Sequence, residues 1–93
     1  VIRSVRDKRV ETIVAGRVPK RFPADLLQVA RRKLFMIDNA EALDDLRVPP
    51  GNRLEALKGD RAGQHSIRIN DQFRICFRWN EGGAEDVEIV DYH

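Results

Sequence analysis

Cysteine occurs once in the 93 residues, as Cys76, which excludes an internal disulfide framework and any thiolate-built metal cage. Histidine occurs twice, as His65 and His93, too few for a histidine-built metal centre without carboxylate help. No apolar run approaches the ~20 residues needed to cross a bilayer. No opening run of charge, apolar stretch and small cleavage site marks a secretory leader. A cytoplasmic location without membrane contact is therefore expected. Repeats, low-complexity tracts and long linkers are missing as well, so residues 1–93 read as one domain with a modest core. So small a core has little stability to spare for a deep cleft, and neither a cofactor nor a metal is expected. Charge of one sign is scarce too: 17 Lys and Arg against 15 Asp and Glu leave +2, a weak argument for a polyanionic partner.

What is present is organised. Lys and Arg lead from Val1 to Arg32, Asp38 to Asp45 is acidic, and basic residues again outnumber acidic ones from Arg53 to Arg78. The carboxyl-terminal half is thus a place for a local positive patch. Val1 to Val5 reads as a short strand. A first helix is expected from about Asp7 to Ala15, because Val10, Ile13 and Val14 recur at spacings of three and four and Gly16 follows as a stop. A second has Pro23 in its first turn, with Asp25 at the positive end of its dipole. Its apolar stripe is Leu26, Leu27, Ala30, Leu34 and Ile37, leaving Gln28, Arg31, Arg32 and Lys33 mainly on the wet side. Asp38 and Asn39 interrupt it, Ala40 to Leu46 adds a turn or two, and Pro49-Pro50-Gly51-Asn52 ends the helical half. Two helices so close in sequence most simply form an antiparallel hairpin.

After Asn52 the period changes to two. Ile67 and Ile69 share one face, with Ser66, Arg68 and Asn70 on the other; Phe73, Ile75, Phe77 and Trp79 alternate with Arg74, Cys76 and Arg78. Asn70-Asp71-Gln72 and Asn80-Glu81-Gly82-Gly83 supply turns, and Glu85 to Tyr92 makes the last strand with Val87 and Ile89 inward. The class is α+β: a short N-terminal strand, then a helical hairpin packed on a small, three-stranded antiparallel meander. His65, in phase with Ile67, is expected at the rim of the core. Trp79 is expected to pack as core, and Cys76 to stand outward as a small residue without a nucleophile's surroundings.

Arg68, Arg74 and Arg78 then lie on the solvated face of neighbouring strands. Arginine is an ordinary resident there. Guanidinium groups so placed also repel one another unless an anion lies between them, and a phosphodiester matches their planar fork of donors. The ending Asp91-Tyr92-His93 groups three side chains able to move protons, although terminal residues are often incidental. RNA is cleaved without a metal when its 2′-hydroxyl is deprotonated, the phosphorane charge is stabilised and the 5′-oxygen is protonated. Imidazole titrates nearest neutrality, which suits His93; Tyr92 can stack on a base or donate its hydroxyl, and Asp91 can orient His93 or transfer a proton. By strand parity Tyr92 falls on the outer face with Glu88 and Val90, whereas Asp91 and His93 start at the rim of the core.

The segment from Pro49 through Leu57-Lys58-Gly59-Asp60-Arg61, then Ser66-Ile67-Arg68-Ile69-Asn70 and Arg74-Ile75, with the terminal Asp91-Tyr92-His93, resembles the HigB-type toxins of the RelE superfamily over nearly the whole chain. The resemblance implies a RelE-like fold and a bacterial type II toxin, a ribosome-dependent mRNA interferase that cuts translated mRNA in the A site without a metal. It implies a partner antitoxin of the HigA kind, a helix-turn-helix protein through which operator DNA is bound. By position, Lys58 and Arg74 would stabilise phosphate charge, and Asp91, Tyr92 and His93 would form the proton-transfer and stacking group. Arg61 would support the turn or contact ribosomal RNA, and Arg68 and Arg78 would join Arg74 in binding substrate. Some members carry a histidine three residues before the motif lysine, where this chain has Glu55, either an ordinary strand residue or a substitute base. Two other readings stay open: a noncatalytic RelE-like module acting with its antitoxin as a corepressor, and a ribonuclease needing no ribosome.

Overall fold

A computed structural model describes residues 1–92, so His93 lies outside the described residues. Helix α1 (Lys8–Val14) and helix α2 (Ala24–Asn39) come first, then short 3-10 turns at Leu43–Arg47, Pro50–Asn52 and Gly59–Arg61. Strands β1 (Glu55–Ala56), β2 (Gln64–Arg68), β3 (Phe73–Asn80) and β4 (Gly83–Asp91) form one antiparallel sheet in the order β1-β2-β3-β4. No helix among the described residues is long and apolar enough to cross a membrane.

The period-two reading of the sheet holds. Ile67, Ile75, Phe77, Val87 and Ile89 are buried on one face, against Leu26, Leu27, Ala30, Leu34 and Ile37 of α2 and Val10 and Ile13 of α1. His65 sits where expected, stacked on Phe77 with centroids 6.5 Å apart, and Trp79 meets the same ring edge-on at 6.4 Å.

Several expectations need correction. The meander has four strands, because Glu55 and Ala56 pair with Ser66 and His65. The N-terminal segment makes two isolated parallel bridges to β4, Ile2 to Ala84 and Val5 to Val87, rather than a continuous strand. The helical turns expected over Ala40 to Leu46 are a 3-10 turn shifted to Leu43–Arg47, held at its start by Asp45, whose carboxylate accepts from the Glu41 and Ala42 N–H groups. Lys33 is buried rather than wet. Its ammonium donates to Asn52 Oδ1, and the fully buried Asn52 donates through Nδ2 to the Leu46 carbonyl (3.1 Å). Burial pushes the Lys33 pKa down, and repulsion from Arg32 and Arg68 adds to it.

Asp7 ties α1 to the sheet. As the cap of α1 its carboxylate accepts from the Arg9 N–H (2.9 Å) and, across to β4, from the Ile89 N–H (3.1 Å). Arg9 closes the clasp, bonding Asp7 and the Ile89 carbonyl, each at 2.9 Å. Burial works against the Asp7 charge, but the Arg9 side chain and the two N–H donors outweigh it and hold its pKa below the ordinary aspartate value. The stabilisation is therefore complete above the unfolded-state pKa and is lost as acid carries the pH down through the folded one. Asp7→Ala should cost about 1–2 kcal/mol in urea unfolding at neutral pH. In melting curves below about pH 4, Asp7→Asn should lose less stability than the parent chain.

Candidate active site

The face of the sheet away from the helices carries polar residues in cross-strand rows. Glu55, Ser66, Cys76 and Glu88 form one row; Arg68, Arg74 and Val90 form the next, toward the end of the sheet where Tyr92 follows β4. Gln64, Arg78 and Glu85 form a third row on the other side. Tyr92 continues the ladder through its N–H to the Gln72 carbonyl (2.6 Å).

Arg74 is the most confined of these cations. Its side chain is 11% exposed, yet it lines an open hollow of about 500 Å³ together with Arg53, Glu55, Arg68, Asp71 and Tyr92. Arg74 Nε donates to Ser66 Oγ (2.7 Å), and its terminal nitrogen donates to the Arg53 carbonyl (2.6 Å) and meets Glu55 Oε1 (3.2 Å). The Arg53 carbonyl is presented by backbone in the left-handed region (φ 47°) just after the Pro50–Asn52 turn. Local chain geometry and a buried hydroxyl thus fix the guanidinium.

Tyr92 lies over Cys76, with its hydroxyl oxygen 3.9 Å from Sγ. Burial raises the Tyr92 pKa above the ordinary phenol range, and Cys76 adds to the effect. The hydroxyl therefore keeps its proton at neutral pH, which suits a hydrogen-bond donor or a stacking ring and not a base. Arg61 reaches across the same region to Glu88 (3.1 Å) and Gln64 (3.0 Å), and the Glu88 bond raises its pKa further.

The expected site residues are thus only partly brought together. Arg74, Arg68 and Tyr92 share the hollow. Lys58 is exposed just before the Gly59–Arg61 turn and does not line it. Arg61 braces the outer face through Gln64 and Glu88. Arg78 stands in the row beyond Cys76, 3.7 Å from Asp86. Asp91 pairs with Phe73 in the ladder and accepts from Gln72 Nε2 (3.0 Å), at the rim position that parity indicated.

Two readings change. Cys76 has outward parity but is fully buried. The arginines do not wait for an external anion: Arg61 pairs with Glu88, Arg68 with Asp71, Arg74 with Glu55 and Arg78 with Asp86. Glu55 is a strand residue, and it also stands on the hollow. Sequence reasoning left Glu55 open as a strand residue or a substitute base, and missed Asp71 and Arg53 as members of the site. Asp71 was legible as lying in the turn that joins the Arg68 and Arg74 strands.

Burial pushes the Cys76 pKa up, against the Tyr92 hydroxyl and Arg61, which favour the thiolate. Native protein should react with a thiol reagent at neutral pH far more slowly than urea-unfolded protein. Tyr92→Ala should accelerate the native reaction by uncovering the sulfur, as followed by the rate of alkylation.

A family model described as the RelE-like toxin of the type II toxin-antitoxin system HigB matches residues 4–93. Toxin HigB-1 of Vibrio cholerae serotype O1 is 47% identical over 62 residues, which cover 67% of this chain and 65% of that protein. The chain thus spans just under two thirds of that relative's length. Endoribonuclease HigB of Proteus vulgaris is 30% identical over 93 residues, the whole of both chains. Among solved structures, the YoeB-YefM complex from Staphylococcus aureus contains a chain that superposes with a TM-score of 0.63 at 16% identity, covering 100% of this chain and 98% of that one, a likeness of fold.

Proposed function

The chain belongs to the RelE-like HigB toxins of type II toxin–antitoxin systems, and from that premise we propose that it is an endoribonuclease that cleaves mRNA in the ribosomal A site without a metal. The observation that carries the reading is the hollow itself, where a fixed guanidinium (Arg74) and a protonated phenol (Tyr92) face the same space. The name of the Proteus vulgaris relative supports the activity.

In the proposed reaction the RNA 2′-oxygen loses its proton and attacks the adjacent phosphorus. The bond to the 5′-oxygen breaks, and that oxygen takes up a proton, leaving a 2′,3′-cyclic phosphate. Arg74 stabilises the charge that grows on the non-bridging oxygens, because its donors are already oriented and little water surrounds them. Tyr92 stacks on a neighbouring base or donates its hydroxyl to the phosphate. Lys58 adds positive charge, while Asp91 and His93 exchange protons with the 2′- and 5′-oxygens. Arg61, Arg68 and Arg78 hold the strand or contact ribosomal RNA. An open hollow on so small a chain offers little surface to position a flexible strand, so the ribosome supplies the orientation. The partner is a HigA-like helix-turn-helix antitoxin, which contacts operator DNA, and the site of action is the cytoplasm.

Controlled expression in bacteria with mapping of mRNA 5′ ends tests the reading. Growth arrest should accompany cuts inside translated codons, and blocking initiation on a reporter mRNA should abolish cuts in that message. Arg74→Lys should reduce cleavage about 10²-fold or more while keeping the fold, since a point charge replaces a bidentate donor. His93→Ala and Tyr92→Phe should each relieve arrest. Equal cleavage of translated and untranslated RNA would argue for a free ribonuclease, and arrest without cleavage for a noncatalytic module.

A further inference from the structure

The hollow carries its own anions, and they are held differently from its cations. Arg74 is fixed by two neutral acceptors, Ser66 Oγ and the Arg53 carbonyl, and its side chain is 11% exposed; its carboxylate partner Glu55 is 60% exposed. Arg68, its cross-strand neighbour, has a side chain 34% exposed, whereas its partner Asp71 is 98% exposed at the tip of the turn. In each pair the cation is the more buried partner and the anion stands out in solvent. Removing Glu55 leaves Arg74 its two neutral acceptors, so the carboxylate is not needed to position it. With both carboxylates in place the three arginines of the hollow (Arg53, Arg68 and Arg74) face two negative charges, and the site is nearly neutral.

We infer that Glu55 and Asp71 are exchangeable counterions that occupy the phosphate positions of the hollow and yield only to an RNA strand. The inference rests on the proposed reading of the hollow as an RNA site. A phosphodiester entering it must displace a carboxylate from Arg74 and Arg68, which subtracts from its affinity. A lone inorganic anion brings nothing else to offset that loss. A strand brings a second phosphate and a base that stacks on Tyr92. The two carboxylates thus set selectivity against isolated anions and against short or poorly held RNA, and they favour a substrate delivered in place. Exposed ion pairs are weak, so each carboxylate is worth about two- to fivefold in binding.

The test is fluorescence anisotropy with a labelled 2′-O-methyl hexaribonucleotide, which cannot be cleaved by 2′-oxygen attack, on the full chain and its variants. Asp71→Asn and Glu55→Gln should each bind about two- to fivefold more tightly than the parent, and the double variant more tightly still. Glu81→Gln makes the same change in net charge at the opposite end of β3 and should bind like the parent. Equal gains in Glu81→Gln, or no gain in Asp71→Asn and Glu55→Gln, would overturn the inference. The RNA reading would survive that result if Arg74→Gln, checked for folding by its melting curve, and Tyr92→Ala both bind more weakly. Full affinity in Arg74→Gln and Tyr92→Ala would remove the RNA reading, and the inference with it.

Discussion

A guanidinium taken nearly out of water must find acceptors or unfold its surroundings, and Arg74 finds them in three separate segments. Ser66 on β2 gives a hydroxyl, Glu55 on β1 a carboxylate, and Arg53 a backbone carbonyl. Their convergence depends in turn on the helices. Lys33 of α2 donates to Asn52, which also holds the Leu46 carbonyl, so the loop that presents Arg53 is tied to α2. A buried lysine and a buried asparagine thus bear on a side chain of the outer face. The line from helix to site is continuous: Lys33, Asn52, the adjoining Arg53 carbonyl, Arg74.

How much of this was legible follows from what each signal depends on. Alternation along β2 and β3 is imposed by the pleat, so Ile67, Ile75, Phe77 and the outward Arg68 and Arg74 read correctly from sequence alone. The stripe of α2 read correctly for its apolar members. Lys33 was misread because residue type outweighed position: it lies three residues after Ala30 and four before Ile37, on the buried side of the same stripe. Strand β1 was not placed in the sheet, although Glu55 was read as a strand residue or a base, because two exposed residues carry no period and the strand depends on Ser66 and His65 offering an edge. The ion pairs of the outer face escaped for the same reason: Glu55 with Arg74 and Arg61 with Glu88 join residues far apart in the chain. The basic stripe was visible, but its neutralisation by local carboxylates was not. The family motif brought Lys58 and Arg74 together in sequence logic, while the hollow gathers Arg74, Glu55 and Asp71.

The face on which Tyr92 ends is decided by a single irregularity in β4. Ala84 is buried on the core side, and strict alternation from it would turn Val87 and Ile89 outward and Tyr92 inward. The register instead slips between Cys76 and Arg78: Cys76 faces Glu88, while Arg78 faces Glu85, so β4 carries one residue more than β3 over that interval. Asp86 adopts the left-handed region (φ 54°), which aspartate tolerates better than most residues, and its N–H donates to Ser4 Oγ (2.9 Å). The N-terminal segment that pairs with Ala84 and Val87 therefore also secures the bulge between them. With the extra residue in place, Ala84, Val87 and Ile89 all reach the core, and Glu88, Val90 and Tyr92 all reach the outer face. The two isolated bridges of the first residues, slight as structure, thus bear on where the aromatic ring of the site stands. A strand that kept perfect alternation could hold Val87 and Ile89 inward and Tyr92 outward only by turning Ala84 out of the core, and the bulge lets all four stand where they do.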